Sequence, residues 1–148
     1  MAKAERDVCN EKKASAKANP NEVRTHTIDH AQNTHMPHLG DEQPGETCCC
    51  SPTNVCTLGI VNTGLTPMKL FAHVCHEDEG KKGGNNVASC IRRQLFHDGF
   101  PSGDRKHIEE MNFVFDNCGG QNKNRMALRM LLHTVQRGAC DVRMQSSW

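Results

Sequence analysis

A chain of 148 residues with net charge +1, only 36% hydrophobic and 4% aromatic, has room for one modest core and is no polycation. No apolar run approaches the roughly 20 residues of a membrane span, and the N-terminus has no signal-like apolar stretch, so a soluble, intracellular protein is expected. Its nine cysteines are an odd number, which argues against a complete disulfide framework and fits reduced thiols.

Residues 2–18 are rich in Ala, Lys and Glu, which predicts a helix stopped by Asn19-Pro20. Its apolar stripe is thin, so residues 1–20 read as an exposed N-terminal helix and 21–148 as the domain proper. Residues 22–29 are β-branched at Val23, Thr25, Thr27 and Ile28 and predict a strand with Asp29 at its end. Residues 31–53 hold Pro37, Gly40, Pro44, Gly45 and Pro52 and read as irregular. Residues 54–61 and 68–75 read as strands joined through Asn62–Pro67, a hairpin with a loop of several residues. The run 76–84 is a charged loop. Val87, Cys90, Ile91, Leu95 and Phe96 then recur at helical spacing behind a capping Asn85 or Asn86. Residues 111–116 read as a strand, Gly119-Gly120 as a turn, and Gln121–Gln136 as a last helix ending at Gly138.

The expected order is therefore α-β-β-β-α-β-α, an α/β fold with a mixed sheet flanked by helices. A strand-helix-strand crossover sets strand 111–116 parallel to an earlier strand, most simply the first. Asp29 and Asp116 then become neighbours at two strand ends.

That juxtaposition matters because hard carboxylate oxygens on stiff elements can hold a divalent cation against a phosphate. Each aspartate alone has a plainer reading, as a turn cap after a strand. Asn117, Gln121, Asn122 and Asn124 form an amide-rich turn that either caps the helix or grips a phosphate at its N-terminus. Lys123 and Arg125 are phosphate contacts or solvated charges. A second set of candidates lies upstream. His26, His30, His35 and His38 precede Cys48, Cys49, Cys50 and Cys56, ligand types that zinc takes. No Cys-x-x-Cys pair is present, and adjacent strand cysteines point to opposite faces, so a zinc-binding interaction module is the rival.

The box Asp116-Asn-Cys-Gly-Gly-Gln-Asn-Lys-Asn-Arg125, with its apolar helix, resembles transposase-like proteins of eukaryotic transposable elements. Asp29-His-Ala-Gln-Asn33 is similar to that family's Asp-Tyr-Ala-Gln-Asn segment. Met36-Pro37, Gln43-Pro44-Gly45-Glu-Thr47, Leu58-Gly-Ile60, His76-Glu77, Gly80-Lys81 and Asn85 to Cys90 extend the likeness over residues 5–140. The resemblance implies a ribonuclease H-like fold of the DDE integrase type. It further implies Mg²⁺ (or Mn²⁺) bound by Asp29 and Asp116, a DNA partner contacted through Asn117 and Gln121 to Arg125, and a nuclear setting. The reaction implied is in-line attack of water or a DNA 3′-hydroxyl on phosphorus.

Two departures qualify it. A DDE site needs a third acid, and Asp141, the sole acid after Asp116, follows a helix end. The domain therefore reads as truncated at its C-terminus, without a final sheet strand, and its catalysis as weak or absent. Cysteine or histidine also stands at His30, Cys48 to Cys50, Cys56 and Cys75, where the family is aromatic, and tyrosine is absent. That pattern fits a mutationally decayed copy or a non-catalytic DNA-binding remnant.

Overall fold

In a computed structural model the chain is described at residues 2–37, 45, 51–79, 83–98, 108–116, 125–136 and 141–147. Three helices and six strands form among them. They are α1 (Ala2–Ala18), β1 (Val23–His30), β2 (Thr34–Met36), β3 (Thr53–Asn62), β4 (Lys69–His76), α2 (Gly84–His97), β5 (Glu110–Asp116), α3 (Arg125–Gln136) and β6 (Asp141–Ser147). The molecule is a mixed α/β fold built on one open sheet.

β3 is the organising strand of the antiparallel half. On one side Leu58–Asn62 pair with β1 and Thr53–Val55 with β2; on the other, Val55–Asn62 pair with β4. β5 then adds parallel to β1, from Val23↔Glu110 to Ile28↔Phe115, and β6 adds parallel to β5. Among the described residues β4 and β6 are thus the outer strands.

Two strands depart from the expected order. β2 lies in the stretch read as irregular, where three residues are too short to raise a periodic signal. β6 corrects the expectation of a missing final strand: Asp141–Ser147 runs beside β5 along its whole length. Val142, Arg143, Met144 and Gln145 alternate apolar and polar, which is strand chemistry, but a short segment after a helix stop carries little weight by itself.

Alternation across the sheet decides what each face does. Ile28, Ile60, Leu58, Met111, Phe113 and Phe115 fall on one face, where the buried stripe of α2 (Val87, Cys90, Ile91, Leu95) and Leu131 of α3 close over them. Phe113 is 1% exposed and stacks on His26 at 5.5 Å.

The opposite face takes α1. Although most of this helix is exposed, Cys9 and Ala16 are buried. The Thr25 hydroxyl donates to the Lys12 carbonyl at 3.2 Å, and Lys12 Nζ meets Glu110 Oε1 at 3.0 Å. The close approach of Ala16 to Gly64 completes the seat: a Cβ on Gly64 would lie 3.0 Å from that of Ala16. These contacts gather at the start of β1 and β5, so α1 is anchored away from the ends where the strands finish.

Candidate functional site

Ile28 pairs with Phe115, and the next residues on the two parallel strands are Asp29 and Asp116. Both therefore stand at equivalent register, side by side at the C-terminal ends of neighbouring strands. Asp29 is exposed. Across the sheet its partner on β3 is Gly59, which presents no side chain beside it. The backbone register thus sets two carboxylate-bearing positions at one level of adjacent strands.

Arg125 opens α3 and is exposed. Asn117, Gln121, Asn122, Lys123 and Asn124 lie outside the described residues, as do Cys118, Gly119 and Gly120. Asp141 has a definite position: it pairs with Glu110, whereas Asp116 pairs with Ser147. Six residues of strand, about 20 Å, separate Asp141 from the level of Asp116. It stands at the wrong end of the sheet to join that pair.

The histidines of the zinc alternative are spread out. His26 and His30 lie four residues apart on β1, about 13 Å along an extended strand, too far to chelate one ion. His26 is fully buried and engaged with Asp98, Cys56 is buried with its thiol 3.7 Å from Asn33 Oδ1, and His35 is exposed on β2. His38 and Cys48 to Cys50 lie outside the described residues. Among the described residues no group of three or more His, Cys, Asp or Glu could hold a metal ion.

Sequence reasoning missed a buried polar cluster that joins the start of the sheet to the end of α2. Asp98 is 4% exposed. Its Oδ1 lies 3.2 Å from Arg24 Nη1 and accepts from Gln94 Nε2 at 3.3 Å, while its Oδ2 lies 3.1 Å from His26 Nε2. The His26 approach is close but off-axis, not an aligned hydrogen bond. Burial pushes the Asp98 carboxyl up, but His26, Arg24 and Gln94 together outweigh it and hold it below the usual carboxylate range. The one sequence trace of this cluster is the i, i+4 spacing of Gln94 and Asp98 on a helix end.

A second feature is a groove of about 1030 Å³ between β4 and α2. Leu70 to Cys75 line one wall; Asn86, Ser89, Arg92, Arg93, Phe96 and neighbours line the other. Comparison of the chain with protein-family models, curated proteins and solved structures gave no match. No helix among the described residues is long and apolar enough to cross a membrane.

Proposed function

We propose that this chain is a transposase-like domain with a ribonuclease H-like sheet, descended from a DDE-type nuclease that cut and joined DNA strands. One observation carries the reading: β1 and β5 are parallel neighbours in a register that brings Asp29 and Asp116 level at their C-terminal ends. Four strands joined by antiparallel pairings through β3, then a helix-linked parallel strand, a helix and a second parallel strand support the same sheet type.

In this reading Asp29 and Asp116 bind Mg²⁺ or Mn²⁺, which when bound polarises phosphoryl oxygens and offsets their charge. Arg125 and Lys123 steady the nucleic-acid backbone, and Asn117, Gln121, Asn122 and Asn124 orient it. Two carboxylates hold cations less firmly than three, so cleavage is expected to be weak. A DNA substrate implies work in the nucleus.

Calorimetric titration with Mn²⁺, paired with a labelled-DNA cleavage assay, tests the proposal. Binding with about millimolar affinity that disappears in both Asp29→Asn and Asp116→Asn supports it, at about the strength expected of few ligands on a hard ion. Metal binding or cutting unchanged by both substitutions refutes it.

A further inference from the structure

The groove beside β4 is built differently from a cavity over a sheet face. Successive strand residues point to opposite faces, so a cavity above one face touches alternate residues. Here six consecutive residues, Leu70 to Cys75, all line it. It therefore runs along the edge of β4 away from β3, where no strand among the described residues pairs. The facing wall repeats at helical spacing (Asn86, Ser89, Arg93, Phe96), one side of α2.

Natural sheets usually blunt such an edge with charge, proline or a covering element. This one instead exposes Leu70 at 66% and Val74 at 62%, with Phe96 at 53% across the groove. Its charge has one sign. Arg92 and Arg93 are exposed, Arg92 lies 5.5 Å over the Phe96 ring, and none of the lining residues is a carboxylate. Burial and the charge of Arg93 push His73 below its ordinary value, against a contact with Gln94, so the arginines supply the positive field near neutral pH.

We infer that the β4–α2 groove is a docking site for an extended acidic peptide, which adds to the sheet as a further strand along β4. Main-chain hydrogen bonds to the open edge give the affinity, and the side chains give the pattern. Residues on the α2 side of the added strand face Arg92 and Arg93 and should be Asp or Glu. Those on the other side lie beside Leu70, Ala72 and Val74 and should be apolar or β-branched. β4 has eight residues, so a peptide of about that length covers the edge. The open strand edge favours a peptide over nucleic acid, whose backbone has no ladder to offer.

The test uses the full chain, labelled with ¹⁵N, and the blocked peptide Glu-Val-Glu-Thr-Glu-Val-Glu-Thr. The expected result is amide shifts confined to residues 69–76 and the facing turns of α2, with binding weakened about tenfold by Arg93→Glu. Of two versions of the peptide, with Pro at the central Thr or at the Glu before it, at least one should lose binding, because one of two adjacent residues donates to β4. A Lys-for-Glu peptide should bind the wild type worse and an Arg92→Glu/Arg93→Glu variant better. Several results overturn the inference: no shifts at millimolar peptide, shifts elsewhere, equal binding of the Lys peptide, or tolerance of proline at both positions. Two others do so by naming another occupant. One is shifts in β4 produced by protein concentration alone, with dimer in sedimentation; the other is stronger perturbation of the same amides by a DNA duplex.

Discussion

Removing the Asp98 carboxylate is the sharpest probe of how the sheet is joined to α2. Asp98→Ala leaves a guanidinium and an imidazole facing each other in a site where Asp98 is 4% exposed and His26 fully buried. Truncating one partner of a buried ion pair costs about 3–5 kcal/mol. The Arg24 side chain keeps 14% exposure and some of its hydration, so the lower end, about 3 kcal/mol, is expected. For a domain of this size that lowers Tm by roughly 6–12 °C. The pH dependence has a definite sign. The folded carboxyl ionises more readily than the unfolded one, so the unfolded state binds more protons between the two pKa values and stability rises with pH there. The contribution is complete above the ordinary value of 3.8 and is lost as pH falls through the lower folded value. Urea unfolding of wild type and Asp98→Ala at pH 7, 5, 4 and 3 measures both parts. The difference should be near its full size at pH 7 and 5 and smaller at pH 3. A difference below about 1 kcal/mol at pH 7, or one that does not shrink on acidification, refutes the reasoning.

Two further outcomes follow from packing. Burial, followed by the neighbouring Cys75, pushes the Cys90 thiol up to about 11, so Cys90 should resist iodoacetamide at pH 8 in the native protein and react in urea; peptide mass mapping reads the difference. Gly64→Val forces a side chain into space already taken by Ala16 and should destabilise by about 1–3 kcal/mol, read as a lower urea midpoint.

Much of the sheet was legible because its strands carry strong β-branched or apolar runs. The predicted strands 54–61 and 68–75 fall within a residue or so of β3 and β4. The strand-like run of β5 and the buried stripe of α2 declared themselves as clearly. The parallel neighbourhood of β1 and β5 followed from the crossover rule, with no reference to side chains. β2 and β6 did not declare themselves, because three residues and a short polar-rich segment gain their structure from the strands beside them. His26 was misleading for a related reason. Its spacing from His30 fits a metal ligand pair on paper, but β1 is extended, so the two lie far apart and His26 meets Asp98, which is distant in sequence. A contact between residues so remote leaves no periodic trace, and neither does a groove whose two walls come from separate elements.

The anchoring of α1 has a temporal consequence. Its ion pair joins Lys12 to Glu110 across 98 positions, and its hydroxyl contact needs β1 already extended. A ribosome therefore releases this helix shortly before β1 but long before β5, the strand that carries its ion-pair partner. Loop closure over such a span is slow and costs entropy before any contact rewards it. Of the contacts that seat α1, the Lys12–Glu110 pair is therefore the last that can close, since β1 and Gly64 are made well before β5.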